Sequence, residues 1–150
     1  PDILLVVNFL STHVNKFTAE DKDKLERCLH YLNKTKNLGL ILSIKDSDTL
    51  ELTTYADAYY GVHHDAKSQS ASVSTIGQGA IHSTSNKQKI VTKSSSEAEL
   101  VSATEATTEA LGLRNYLIWR GFNVNPVQLC QDNLASKSVI ENGMNSNKRM

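Results

Sequence analysis

Two aspartates in this sequence stand where aspartate is out of character. Asp57 follows Leu52-Thr53-Thr54-Tyr55-Ala56, and Asp132 follows Val127-Gln128-Leu129-Cys130-Gln131. Both runs read as strands, and aspartate is depleted in strands. Each has an ordinary alternative: Asp57 as a turn residue closing its strand, and Asp132 as the N-cap of the helix that follows. At the ends of two strands they could also meet at one sheet edge, where α/β proteins tend to build their sites. Glu99 is the third candidate. Stepping along its helix gives Ala103, Ala106, Ala110, Leu113 and Leu117, so Glu99 opens an apolar face and points toward a sheet. Glu97 heads the wetter row of Val101, Glu105, Thr108 and Gly112. Ser96 with Glu99 and Ser94 with Glu97 both have capping-box spacing, so spacing alone leaves cap and ligand open.

Three carboxylates on separate elements are what a divalent cation such as Mg²⁺ needs, since it takes hard oxygen ligands together with water and substrate phosphate. Two such ions, roughly 3.5–4 Å apart, can activate a water and stabilise the leaving oxygen in phosphodiester cleavage. Other chemistries are less well supported. His63 and His64 are adjacent, without further His or Cys nearby, which argues against zinc. Ser94-Ser95-Ser96 lacks the context of a hydrolase nucleophile. Gly77-Gln78-Gly79 lacks the rest of a phosphate loop. Lys67, Lys87, Lys89 and Lys93 fall between the first strand and the long helix, opposed only by Asp65. Lysines among Ser, Thr and Asn suit phosphate-backbone contact, with a solvated face as the plain alternative. Glu105 and Glu109 read as solvation of the helix's outer side.

The elements that must position these residues follow from periodicity. Residues 1–38 read as helical: Thr18 with Asp21 forms a capping-box pattern, and Leu25, Cys28, Leu29 and Leu32 recur at helical spacing. Asn37-Leu38-Gly39 is a stop. Leu40-Ile41-Leu42-Ser43-Ile44 is short, apolar and β-prone, and Lys45-Asp46-Ser47-Asp48 reads as a turn. From Thr49 the period becomes two, with Leu50, Leu52, Thr54 and Ala56 on one face. Ala71 to Ile76 and Ala80 to Thr84 read as a hairpin around Gly77-Gln78-Gly79. Lys89 to Thr92 extends the second strand or forms another. Residues 97–119 are the clearest helix, stopped by Gly121. Val127 to Cys130 is a short strand, and Leu134 to Glu141 a short helix closed by Asn142-Gly143. This order predicts an α/β or α+β sheet layered with helices.

Composition sets the bounds. The chain has 150 residues, 39% hydrophobic and 21% charged, enough for a core and too apolar for wholesale disorder. Sixteen basic residues balance sixteen acidic ones, which excludes a strongly basic nucleic-acid coat but not a local patch. Cys28 and Cys130 rule out a disulfide scaffold. The run Ile3 to Val7 is far short of the roughly 20 residues that span a bilayer, so no membrane role or signal peptide is expected. The chain reads as a fragment of something longer.

Taken together, Tyr55-Ala56-Asp57-Ala58, Lys67-Ser68, Ser85-Asn86-Lys87-Gln88-Lys89, Ser94-Ser95-Ser96-Glu97-Ala98-Glu99-Leu100 and Gln131-Asp132-Asn133 resemble the ribonuclease H domain of copia-type retrotransposon Pol polyproteins. The stretch from Pro1 through Gly39-Leu40 resembles the tail of the reverse transcriptase region that leads into that domain. The resemblance implies residues 1–45 as that tail and 49–150 as a ribonuclease H-like domain, an α/β fold with a mixed five-stranded sheet and flanking helices. It implies Mg²⁺- or Mn²⁺-dependent cleavage of the RNA strand of an RNA–DNA hybrid. Asp57, Glu99 and Asp132 match the family's first three metal-binding carboxylates, and Ser95, Ser96 and Asn133 match positions that touch the hybrid backbone. The implied partners are the hybrid and the reverse transcriptase region of the same polyprotein. The implied location is cytoplasm or a replication particle. Relatives carry a fourth carboxylate in a later segment, so the domain is expected to be incomplete at its C-terminus. They also often have Asp where Tyr59 stands and Gly where Ala71 stands, the latter expected to alter a turn. A catalytically inactive, retroelement-derived binding module is the competing expectation.

Overall fold

The computed structural model describes residues 2–44 and 49–142. The chain opens with helix α1 (Leu4–Thr12), a 3₁₀ turn (Val14–Lys16) and helix α2 (Ala19–Thr35). The capping box expected at Thr18 starts α2. The Thr18 hydroxyl accepts from Asp21 N at 3.3 Å, and Asp21 Oδ2 accepts from Thr18 N at 3.0 Å. His13 Nδ1 lies 3.1 Å from the other oxygen of Asp21, which ties the end of α1 to the start of α2. The helical spacing of Leu25, Cys28, Leu29 and Leu32 does make a helix, but only Cys28 is buried and the three leucines lie open.

Residues 38–44 form no strand, contrary to their β-prone composition. Leu40, Ile41, Leu42 and Ile44 are exposed, and the segment runs against the tip of the sheet's hairpin. There Gln78 N donates to Ser43 O at 3.1 Å. The close approach requires glycine. Gly77 has φ +64°, and a Cβ on it would lie 2.0 Å from Ser43 O. The turn expected at Lys45–Asp48, and Gly143 as the closing residue of the last helix, lie outside the described residues.

Among the described residues the sheet has four strands in the order β3-β2-β1-β4, one fewer than the resemblance implies. β1 (Leu52–Tyr59) runs antiparallel to β2 (Gln69–Ile76), β2 antiparallel to β3 (Gly79–Lys87), and β1 parallel to β4 (Gln128–Cys130). The period-two reading of β1 holds: Leu52, Thr54 and Ala56 are buried while Tyr55 and Asp57 are exposed. Both hairpin strands are longer than the sequence suggested. Lys89 to Thr92 is irregular backbone rather than strand, because the ladder ends at Lys87 and Gln88 turns inward. Ala71 lies inside β2 opposite Asp57, not at a turn.

Helix α3 (Ser95–Trp119) packs across β1 and β2, and α4 (Leu134–Asn142) packs on α3. Gly121 ends α3 with φ +91°, as Gly121 N donates to Ile118 O and Phe122 N to Leu117 O. The apolar core is compact: Leu50, Leu52, Ile76 and Val124, with Leu113, Leu117 and Val127 packed against them. The rest of the α3–sheet contact is built from small and hydroxyl residues. Ala98, Ser102, Ala103, Ala106 and Ala110 are buried on α3, as are Thr54, Ser70, Ser72 and Ser74 on the strands. Thr54 and Ser74 share a hydrogen bond of 2.8 Å across the two strands. Glu109 does not solvate the outer side of α3 as its spacing suggested. It is half-buried against the sheet, where its carboxylate accepts from Ser72 Oγ and Thr84 Oγ1. The expected ribonuclease H-like architecture, a mixed sheet with flanking helices preceded by a helical segment, is the one the chain forms.

Candidate metal centre

The parallel pairing of β1 with β4 sets Tyr55 beside Cys130. Asp57 lies two residues beyond Tyr55 in β1, and Asp132 two residues beyond Cys130 in the connection from β4 to α4, so the parallel pairing leads both toward the same end of the sheet. Asp132 is free of the capping role open to it because Asn133 takes that role. Asn133 Oδ1 accepts from Ser136 N at 3.0 Å, and Asn133 O accepts from Lys137 N at 2.9 Å. The two capping spacings ahead of α3 are resolved the same way. Ser94 is the cap, accepting from Glu97 N at 3.2 Å, and Glu97 Oε2 accepts from Lys93 N at 2.6 Å. Glu99 is left to face the sheet. One carboxylate oxygen each from Asp57, Glu99 and Asp132 lies within 4.8 Å of the others.

The three carboxylates have unequal surroundings. Asp57 and Asp132 are exposed, and Glu99 is buried, with 5% of its surface accessible. Asp57 Oδ1 accepts from Ala58 N at 2.8 Å, and Ser102 Oγ donates to Asp57 O at 2.7 Å, which anchors that part of β1 to α3. Burial pushes the Glu99 carboxyl above its ordinary value, and the charges of Asp57 and Asp132 add to the rise. Hydrogen bonds from the Gln131 side chain and from Ala58 N–H oppose it. Three convergent hard oxygens, with no soft ligand among them, are a donor set suited to Mg²⁺ or Mn²⁺.

A pH dependence follows. The folded state holds a proton on Glu99 at pH values where the unfolded chain has released it. Metal-free stability from this group is therefore greatest at low pH. It falls as pH rises from the ordinary glutamate value of 4.5 through the raised one. Glu99→Gln is expected to remove that fall in thermal melts run across pH in a chelator. An unchanged profile would contradict the assignment.

The residues expected to touch nucleic acid fall into two groups. Lys87 and Lys67 both reach Asp65, at 2.9 and 3.9 Å, and Lys87 holds the Asp65 carboxyl below its usual range. These two lysines thus sit together, partly neutralised, beside exposed Lys89. Ser95 and Ser96 occupy the first turn of α3, one turn before Glu99. Ser95 is exposed, while the Ser96 carbonyl accepts from Ser136 Oγ at 3.0 Å. Asn133 adjoins Asp132, but its side-chain oxygen is occupied by the cap. His63 and His64 join no metal-binding cluster among the described residues, and His63 Nε2 pairs with Gln69 Oε1 at 2.8 Å. Sequence reasoning missed Gln131, whose amide contacts Glu99. It stood in the Gln131-Asp132-Asn133 stretch quoted for the resemblance, but was given no role there.

No protein-family model matches the chain. It is 34% identical over 145 residues to the retrovirus-related Pol polyprotein from transposon RE1 of Arabidopsis thaliana, and 32% identical over 145 residues to that from transposon RE2 of the same plant. Each alignment covers 95% of this chain and 10% of the relative, so the chain spans about a tenth of the length of these relatives. It is also 32% identical over 114 residues to secreted RxLR effector protein 161 of Plasmopara viticola, covering 75% of this chain and 79% of that protein.

Proposed function

We propose that this chain, similar over 95% of its length to retrovirus-related Pol polyproteins of transposons, is part of such a polyprotein, and that its carboxylate cluster serves metal-dependent cleavage of the RNA strand of RNA–DNA hybrids. The observation that carries this reading is the convergence of Asp57, Glu99 and Asp132 from β1, α3 and the β4–α4 connection to within 4.8 Å. Exposed Asp57 and Asp132 would hold Mg²⁺ or Mn²⁺, and buried Glu99 would fix the inner side of the site. Bound there, such cations supply Lewis-acid stabilisation of the phosphate and a water acidic enough to act as nucleophile. Lys67, Lys87, Lys89, Ser95, Ser96 and Asn133 would bear on the backbone phosphates, which position a strand without reading its sequence. Discrimination of RNA from DNA would rest on the 2′-hydroxyl. In this reading the hybrid and the reverse transcriptase region of the same polyprotein are the partners, in the cytoplasm or a replication particle. No described helix is long and apolar enough to cross a membrane.

The test is an end-labelled RNA–DNA hybrid incubated with the protein in Mg²⁺ or Mn²⁺. Cutting confined to the RNA strand and abolished by a chelator is the expected result. A folded sample that cuts neither strand, or both, would sink the reading. One observation favours a second reading, a non-catalytic binding module: the similarity to an effector protein that this chain covers over 79% of its length. Under that reading the same sample retains hybrids on a gel in either metal without cutting them.

A further inference from the structure

The Gln131 amide bridges the end of β4 and the second turn of α3. Its Nε2 donates to Glu99 Oε2 at 3.1 Å and to the Glu99 main-chain oxygen at 3.0 Å. Both acceptors are oxygens, so the amide can be turned only one way, with its nitrogen toward Glu99. That orientation leaves Gln131 Oε1 buried and without a hydrogen-bond partner. A buried acceptor with no donor is costly, and an apolar side chain of the same length would avoid the cost. The gain that offsets it is the grip on Glu99, the one buried member of the carboxylate cluster. Because Gln131 directly precedes Asp132 in the chain, one residue's placement couples two of the three carboxylates.

The geometry points to Gln131 as a positioning residue of the cation site, which holds the Glu99 carboxylate in register with Asp57 and Asp132. This rests on the metal reading above. Partners that orient a metal ligand from behind typically change metal affinity by about 10–100-fold when removed.

The test measures Mn²⁺ binding by electron paramagnetic resonance, without nucleic acid. Gln131→Met is expected to bind Mn²⁺ about tenfold more weakly or worse while melting close to the native protein. In a Glu99→Gln background the same change is expected to have no further effect beyond about twofold, because it acts through that carboxylate. Equal affinity of the native protein and Gln131→Met would overturn the inference, and so would an equal loss in both backgrounds. A native protein that binds no Mn²⁺ would overturn the metal reading itself. Should Gln131→Met fail to fold, the native protein still decides. The Gln131 side-chain NH₂ resonances are expected to move on titration with Mg²⁺, and an unmoved pair would refute the role.

Discussion

Asp57→Asn is expected to fold, to melt higher than the native protein in a chelator, and to cut hybrid RNA about a thousandfold more slowly or not at all. The substitution keeps the shape of the side chain and the oxygen that accepts from Ala58 N, but removes a charge from three that converge within 4.8 Å. Without a cation those charges repel. Asp57 is exposed, so solvent screening limits the relief to on the order of 1 kcal/mol, or about 2–4 °C in melting temperature. With a cation the balance reverses, since Lewis-acid stabilisation is worth several kcal/mol in the transition state, which is about a thousandfold in rate. Calorimetry in chelator and in Mg²⁺, run beside the cleavage assay, reads both effects. Mg²⁺ should raise the melting temperature of the native protein and do much less for the variant. A variant that melts lower in chelator, or cuts at the native rate, contradicts this account of the site.

At the other end of the same strand, Leu52→Ala is expected to destabilise the fold by about 3–4 kcal/mol, roughly 10 °C in melting temperature. Leu52 is fully buried at the centre of the apolar cluster of Leu50, Ile76 and Val124, backed by Leu113 and Leu117 of α3. The rest of the α3–sheet contact is alanine and hydroxyl, so little large apolar surface exists elsewhere to compensate. Leu29→Ala on α2 supplies the control. That side chain is exposed, and its loss should change stability by less than about 0.5 kcal/mol. Urea unfolding of the two variants separates them, and comparable losses would show that the core lies elsewhere.

Much of this could be read from the residues, and the failures have physical causes. The alternation in β1 was readable because one face is buried and the other wet, so period two is written into residue type. Glu99 was placed by the alanine stripe beyond it, although two capping spacings competed for the same helix start. Only the structure shows that Ser94 took Glu97, and that Asn133 rather than Asp132 took α4. Leu40 to Ile44 looked like a strand because it is apolar, but a strand needs a ladder partner, and the hairpin tip offers that segment little beyond one backbone bond. The leucines of α2 gave the right helix and yet lie open, since periodicity reports a face and not what covers it. Glu109 was misread because the face of the sheet that meets α3 carries hydroxyls, Ser72 and Thr84 among them, so a carboxylate on the helix finds partners there. Gln131 and buried Gln88 stood in the quoted motifs without a role for a related reason: an amide in an irregular segment follows no period, and its importance lies in contacts across the fold.

The seam between α3 and the sheet sets which substitutions this chain can absorb. Ala103, Ala106 and Ala110 of α3 and Thr54, Ser72 and Ser74 of the strands are all buried, so a longer side chain at this seam would force the helix to slide. Any such slide would carry Glu99 away from Asp57 and Asp132. Exchanging hydroxyl for methyl in matched pairs, as at Thr54 and Ser74, leaves no stranded donor and should be close to neutral. Drift at these positions is therefore constrained by volume far more than by polarity. A lineage of such sequences can exchange Thr for Val and Ser for Ala in matched pairs such as Thr54 and Ser74 while the spacing of its carboxylates stays the same.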